Sequence, residues 1–231
     1  MNIAVFHGSP RKGNTYKATT IFMDELSKDS DTQFVEFFLP ESMPKFCTGC
    51  QLCLSNPYDK CPHSEFITPI LNAILNADAL IFTTPHYGAC SMPGAMKNLL
   101  DHLDFLTLTI APRREIFDKK AFIISTATGS TAAIKPIKKY LKNWGVNRVN
   151  SLGLRMFIDK WDKMSVKKQT KFEGLLRRSA RKFYRTKKGL PYISTIFMYY
   201  MSKFVIRKYV GKGNYPYEYW NEQGYFNKRP F

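Results

Sequence analysis

The chain has 231 residues, of which 44% are hydrophobic and 15% aromatic, a composition typical of a globular protein with one good core. Its net charge of +17 is uneven, because residues 1–154 carry 16 Lys and Arg against 13 Asp and Glu, whereas residues 155–231 carry 19 against 5. We therefore predict one domain over residues 1–154 and a basic, aromatic-rich helical extension over residues 155–231. The longest uncharged apolar stretch, residues 189–202, is too short to cross a bilayer. No secretory signal precedes the first predicted strand, which favours a cytoplasmic location.

Apolar runs and helical patterns alternate along the first 154 residues. Short apolar runs predict strands at residues 2–6, 32–38, 78–83, 120–125 and 146–154. Helical spacing predicts helices at residues 16–27, 66–75, 93–106 and 132–144, with Gly145 as the C-cap of the last. Strands that alternate with helices form parallel units, and five of them make a doubly wound α/β sheet. Such sheets bind ligands beyond the carboxyl ends of their strands, so the loops after strands one, three and four are of interest.

The first of these loops, residues 7–15, has the composition of an anion-binding site. Backbone N–H groups and the positive end of a helix dipole converge there, and short polar side chains and one cation add to them: Ser9, Arg11, Asn14 and Thr15. Gly8 and Gly13 have the spacing of a Walker A loop. Asn14 stands where that motif requires Lys, which disfavours nucleoside triphosphate hydrolysis. The sequence contains no GxGxxG fingerprint either.

Residues 8–15 resemble the phosphate loop of the flavodoxin-like NAD(P)H-dependent FMN reductases, a Gly-Ser-x-Arg loop that closes on Asn-Thr. The loop after strand three carries the same resemblance at Pro85, Tyr87, Pro93 and Lys97. The resemblance implies a flavodoxin-like FMN-binding domain over residues 1–154. It places the FMN phosphate in the first loop and the flavin beside four residues of the second: Pro85, His86, Tyr87 and Gly88.

The loop after strand four and His86 match the family's sequence pattern at fewer positions. The loop after strand four is small and polar, as needed near the pyrimidine edge of a flavin, and the resemblance implies contacts from Thr126 and Gly129. The family more often has Val or Trp at the position of His86. A structural role and a proton-donating role therefore stay open for His86, and we assign no catalytic residue.

Four cysteines crowd into fifteen residues: Cys47, Cys50, Cys53 and Cys61. Their C-x2-C-x2-C run with a later Cys-Pro resembles the compact motif of the iron-sulfur flavoproteins, which share the predicted fold. It also resembles flavodoxin-like reductases that keep these cysteines without a demonstrated cluster. Zinc is a third alternative, although the run is tight for one tetrahedral site. Iron-sulfur ligands and metal-free thiols both stay open at this point.

The extension contains two amphipathic segments. Residues 163–188 hold 11 Lys and Arg and a helical apolar stripe, with Glu173 as their one acidic residue. Residues 192–210 mix apolar residues with Lys203, Arg207 and Lys208. We place packing on the domain or a dimer partner ahead of contact with an anionic membrane, and no nucleic-acid motif is present. Residues 217–226 resemble the aromatic ending of some reductases of this family.

The resemblance implies an oxidoreductase that transfers hydride from NAD(P)H to bound FMN and on to a small-molecule or protein acceptor. It also implies a homodimer, since such reductases build part of the flavin pocket from a second subunit. The alternative is a non-catalytic flavin and iron-sulfur protein that exchanges electrons with protein partners. Bleaching of bound flavin by NADH or NADPH distinguishes the two.

Overall fold

A five-stranded sheet organises the computed structural model, which describes residues 1–28, 31–87, 91–128, 131–157, 160–187 and 189–231. The strands are β1 (Asn2–His7), β2 (Gln33–Phe38), β3 (Ala79–Pro85), β4 (Lys120–Ala127) and β5 (Arg148–Arg155). Neighbouring strands pair in parallel in the order β2-β1-β3-β4-β5. The predicted doubly wound α/β sheet is confirmed, and the chain crosses over on both sides of β1 as that topology requires.

Helices cover both faces of this sheet. The α-helices of the described ranges are α1 (Asn14–Leu26), α2 (Leu39–Ser42), α3 (Leu52–Ser55), α4 (Ser64–Asn76), α5 (Gly94–His102), α6 (Arg114–Phe117), α7 (Ile134–Trp144), α8 (Val166–Arg185), α9 (Ile193–Val205) and α10 (Tyr215–Glu222), of which α9 and α10 lie beyond the sheet. The helix predicted over residues 93–106 is shorter, because the chain leaves helical geometry at Leu103 and continues as the 3-10 turn Asp104–Leu106. A π-helical turn, Ile206–Val210, follows α9.

Alternation along the strands divides the core between the two faces. In β1, Ala4 and Phe6 pack toward α4, α5 and α7, while Ile3 and Val5 pack toward α1 and α8. Successive side chains of a strand point to opposite faces, so one short apolar strand contributes to both layers. A third cluster, rich in Tyr and Trp, joins α9 and α10.

The basic helix of the extension packs on the domain. α8 lies along α1 and buries an apolar stripe against the α1 face of the sheet: Phe172, Leu176, Ala180 and Phe183. The packing role expected for this helix is confirmed, and its lysines and arginines remain on the outer side. The division of the chain at residue 154 stays a prediction. No helix in the described ranges is long and apolar enough to span a membrane.

Candidate functional site

A cleft of about 450 Å³ opens at the carboxyl ends of the strands, where the sequence predicts a ligand site. Most of the predicted binding residues line it: Ser9, Arg11, Asn14, Thr15, Pro85, His86, Tyr87 and Thr126. These residues come from three loops that are distant in sequence. The structure therefore brings together, in one concave site, eight of the ten predicted positions. The other two, Gly88 and Gly129, lie outside the described residues.

The start of α1 gives the cleft its positive end. Gly13 precedes the helix without a side-chain cap, and the first turn contains no acidic residue. The first backbone N–H groups of a helix lack partners within the helix and carry the positive end of its dipole. An anion at this place would meet those N–H groups directly.

Gly8 lets this loop lie tightly against the end of β3. Its N–H donates to the carbonyl oxygen of Thr83 at 2.8 Å. A Cβ atom at Gly8 would lie 3.1 Å from that oxygen and 3.0 Å from the Met96 side chain. Larger residues at position 8 would push the loop away from the sheet, so the glycine sets the height at which the loop crosses the cleft.

A hydrogen bond between two buried threonines joins α1 to the end of β4. The hydroxyls of Thr15 and Thr126 are 2.6 Å apart, and either one can donate. This contact links two of the three predicted loops across 111 positions of sequence. It holds the helix start beside the β4 edge, so the two walls of the cleft keep a fixed separation.

Arg11 is exposed at the mouth of the cleft and faces the loop after β3. A hydrogen bond from its guanidinium to Tyr87 raises the pKa of Arg11 above its ordinary value. Within its own loop, the N–H of Arg11 donates to the Ser9 hydroxyl at 3.3 Å. The cation is thus held between the predicted phosphate loop and the predicted flavin-facing loop.

The backbone of His86 is held by a hydrogen bond, whereas one nitrogen of its ring has no partner among the described residues. Its N–H donates to the carbonyl oxygen of Thr126 at 2.9 Å, extending the β3–β4 pairing into the loop. Its Nδ1 is buried and has no hydrogen-bond partner among the described residues. A buried polar atom without a partner is costly, so this nitrogen is suited to a ligand group in the cleft.

Two further lining residues, Met156 and Lys160, were missed in the sequence. Both follow β5, whose carboxyl end reaches the same edge because β5 is parallel to β4. The N–H of Met156 donates to the carbonyl oxygen of Ala127 at 2.7 Å and places this segment against the loop after β4. The parallel arrangement itself was the available signal, since every strand of the sheet ends at this edge.

Beneath the loop, His7 is buried and paired with Glu36. Its Nε2 lies 2.7 Å from the Glu36 carboxylate, and its Nδ1 lies 3.2 Å from the Thr83 hydroxyl. Burial lowers the pKa of His7 below its ordinary value, although Glu36 opposes that effect. Both ring nitrogens are already engaged by protein groups, so His7 supports the loop from below.

The cysteine loop lies against α5 and is anchored there by Asn98. The side-chain amide of Asn98 accepts the N–H of Cys47 and donates to the carbonyl oxygen of Lys45, both at 2.9 Å. Cys47 and Cys50 are exposed, Cys53 is half-buried and Cys61 is buried, all as free thiols. The anchor holds the loop in place through its backbone and leaves the thiols unengaged by Asn98.

These thiols do not fit the predicted iron-sulfur ligand set as they stand. The described part of the chain contains no group of three or more His, Cys, Asp or Glu side chains arranged to hold a metal ion. Burial, together with neighbouring thiols, raises the pKa of Cys53 to about 11, and burial also raises the pKa of Cys61. Without a metal ion, these two thiols therefore ionise less readily than an exposed cysteine.

A family model described as NADPH-dependent FMN reductase matches residues 1–157. The chain belongs to this family. The match covers all five strands and every residue that lines the cleft except Lys160. Because the family is one of reductases, it favours hydride transfer over the electron-carrier alternative.

Two curated proteins are similar to parts of this reductase-family chain. An iron-sulfur flavoprotein of Archaeoglobus fulgidus is 29% identical over 102 residues, which is 44% of this chain and 48% of that protein. An FMN-dependent NADH:quinone oxidoreductase of Nocardia farcinica is 30% identical over 87 residues, 35% of this chain and 37% of that protein. The matches thus span half or less of the length of these relatives.

A solved structure supports the fold. The NAD(P)H:quinone oxidoreductase of Methanothermobacter marburgensis superposes with a TM-score of 0.62 over 80% of this chain and 98% of its own, at 15% sequence identity. Similarity at that identity establishes the shared flavodoxin-like architecture and no more.

Proposed function

We propose that this protein is an FMN-dependent oxidoreductase that takes electrons from a reduced nicotinamide nucleotide and passes them to an acceptor. The observation that carries the proposal is the cleft at the strand ends, where an uncapped helix start and the predicted loops meet. The family match supports the same assignment. A flavin is a flat ring system with an anionic tail, and this cleft offers a positive end and a polar wall.

In this proposal the start of α1 holds the FMN phosphate, with Ser9, Arg11, Asn14 and Thr15 as side-chain donors. The loop after β3 would face the ribityl chain and ring through Pro85, His86 and Tyr87, and the same role for Gly88, which lies outside the described residues, stays a prediction. Thr126 would contact the pyrimidine edge, and the same role for Gly129, which lies outside the described residues, stays a prediction. Lys160 adds a cation that the sequence did not indicate.

The buried Nδ1 of His86 fits a ligand with hydrogen-bonding groups along its length, because it has no partner in the described part of the chain. When bound, FMN would supply the hydride chemistry, accepting two electrons from the nicotinamide and releasing them to the acceptor. The protein's own share is placement: the Thr15–Thr126 contact sets the cleft width, and Arg11 balances phosphate charge.

We derive no step through an iron-sulfur cluster, because the four thiols do not form a ligand group in the described part of the chain. A cluster on Cys47, Cys50, Cys53 and Cys61 stays a prediction. Anaerobic purification followed by iron and sulfide analysis would test it. The homodimer likewise stays a prediction, which sedimentation equilibrium of the FMN-loaded protein would test.

The test of the proposal compares Arg11, in the loop before α1, with Lys17, in α1. We expect Arg11→Ala to weaken FMN binding several-fold, because Arg11 alone of the pair faces the cleft. Lys17→Ala removes an exposed cation one turn into α1, outside the cleft lining, and is expected to leave the affinity nearly unchanged. Quenching of flavin fluorescence on titration with each variant measures the dissociation constants.

A second measurement separates binding from catalysis. Addition of NADPH or NADH to the FMN-loaded protein under anaerobic conditions should bleach the flavin absorbance rapidly. Failure of the wild-type protein to take up FMN would contradict the proposed cofactor. Flavin uptake without bleaching by either nucleotide would contradict the reductase activity and favour the electron carrier.

A further inference from the structure

Helix α9 has its polar and apolar faces reversed relative to an ordinary surface helix. The stripe it turns inward is Thr195, Tyr199 and Ser202, continued by Ile206 of the π turn. The large apolar side chains point outward, and Ile193, Phe197 and Phe204 are 87%, 63% and 51% exposed. Neighbouring residues widen this outward face: Leu190, Met198, Tyr200, Met201 and Tyr209.

The inward face confirms the reversal at the level of single atoms. The hydroxyls of Thr195 and Ser202 are buried and have no hydrogen-bond partner within the described ranges. Burying an unpaired hydroxyl costs stability, and so does leaving an apolar patch in water. The reversed orientation is fixed by Tyr199, whose hydroxyl donates to the carbonyl oxygens of Tyr225 and Lys228. Rotation of α9 to hide its phenylalanines would break this anchor.

Positive charge surrounds the outward face. Lys203, Arg207 and Lys208 lie among its aromatic residues, with the Lys208 ammonium 5.4 Å from the centre of the Phe204 ring. On the other flank, a groove of about 510 Å³ between α7 and α9 is lined by four more lysines: Lys135, Lys138, Lys139 and Lys142. No Asp or Glu occurs from residue 174 to residue 217. The apolar face is therefore bordered by cations along its whole length.

We propose that the outward face of α9 docks this protein on an anionic lipid surface. Phe197 and Phe204 would enter the boundary between headgroups and acyl chains, while Lys203, Lys208 and the α7 lysines meet the lipid phosphates. Charge complementarity selects this occupant over a second copy of the chain. A two-fold interface would bring the same cations face to face without a carboxylate from this segment to neutralise them.

Sedimentation with vesicles tests the proposal on the full-length protein. We expect binding to vesicles of 30% phosphatidylserine in phosphatidylcholine, and binding that is weaker by tenfold or more to phosphatidylcholine alone. Phe197→Ser with Phe204→Ser should reduce binding to the anionic vesicles by tenfold or more, since two exposed phenyl rings are lost. Lys208→Glu should reduce it several-fold, and higher salt should weaken binding of the wild-type protein.

Phe46→Ser is the matched control, because Phe46 is 73% exposed and lies outside α9. It removes one exposed phenyl ring from another surface and should leave vesicle binding unchanged. Near-ultraviolet circular dichroism of each variant checks that the fold is retained.

Three outcomes of the vesicle experiment would overturn the proposal. They are equal binding to both kinds of vesicle, equal loss in the Phe46 control, and no binding by the wild-type protein. A dimer in analytical ultracentrifugation that is abolished by the Phe197 and Phe204 substitutions would also overturn it, because a second copy would then cover the face. Flavin uptake is measured separately, so the outcome does not depend on the proposed oxidoreductase activity.

Discussion

Glu25 joins the first helix to the basic extension, and Glu25→Gln tests how much this connection stabilises the fold. Its carboxylate accepts hydrogen bonds from Lys28 at 3.0 Å, Arg177 at 3.2 Å and Arg181 at 2.9 Å. Two of these donors lie on α8, about 150 residues away in sequence. The variant keeps the shape of the side chain and removes its charge, so it isolates the electrostatic part of the contact.

The expected magnitude follows from the burial of each partner. The Glu25 side chain is 4% exposed, whereas the side chains of Arg177 and Arg181 are 35% and 50% exposed. The arginines can turn to water once the carboxylate is gone, so the cost falls below the ~3–5 kcal/mol of breaking a fully buried pair. We expect Glu25→Gln to lower the free energy of unfolding by about 1–2 kcal/mol at pH 7. For a chain of this size that is a fall of roughly 2–8 °C in Tm.

The pH dependence gives the sharper test. The hydrogen bond from Lys28, with help from Arg177 and against the effect of burial, lowers the pKa of Glu25 in the folded protein. Stability from the ionised form is therefore complete above the unfolded pKa of about 4.3 and is lost as the pH falls through the folded pKa. The difference in the free energy of unfolding between wild type and Glu25→Gln, measured in urea, should have its full size at pH 7 and shrink below about pH 4.

Asp24→Asn is the matched control, since Asp24 is an exposed carboxylate on the same helix. It should change stability by less than about 0.5 kcal/mol. A gap for Glu25→Gln that stays constant from pH 7 to pH 3 would refute the electrostatic argument, because the loss would then come from packing.

The remaining predictions concern the end of α7 and the cysteine loop. Gly145→Ala should lower stability by more than about 1 kcal/mol in urea unfolding, because Gly145 has a φ of 99° and a Cβ there would lie 2.5 Å from the Phe117 ring. Wild-type stability in that variant would contradict the assigned helix end. Alkylation at neutral pH with peptide mapping should label Cys47 and Cys50 fast and Cys53 and Cys61 slowly, since two are exposed and the pKa of each of the others is raised. Equal labelling of Cys53 and Cys50 would contradict this order.

The sheet was predictable because its strands are short apolar runs, each separated from the next by a helical pattern. Most strand ends differ by one or two residues between the prediction and the structure, as expected where hydrogen bonding and hydrophobicity stop at different positions. Ser9, Thr15 and Thr126 converge because parallel strands end at one edge, a consequence of topology that the sequence pattern already contains. The same topology indicates that the segment after β5 reaches this edge, but it does not single out Met156 and Lys160 within that segment, since a single Met or Lys after a strand has no distinctive spacing.

The orientation of α9 could not be predicted from hydropathy. Residues 192–210 have apolar side chains on several sides, and the outward ones are larger and more apolar than the inward ones. The deciding contact is between aromatic residues far apart in sequence: Tyr199 stacks on Trp220 with ring centroids 5.3 Å apart and donates to the carbonyl oxygen of Tyr225. Packing against the aromatic C-terminal segment therefore determines which face of α9 is buried.

The net charge changes near residue 154, but the hydrophobic core continues past that position into α8. Phe183 of α8 lies 6.1 Å from Phe22 of α1 and 5.4 Å from Phe122 of β4, measured between ring centroids. The strongly basic segment thus completes the hydrophobic layer on one face of the sheet while its cations stay outside. α1 carries the cleft at its first turn and Glu25 near its last, so the helix that is proposed to hold phosphate is itself held by the extension. The net charge along a chain describes its surface, and only the pattern of apolar residues describes where the core continues.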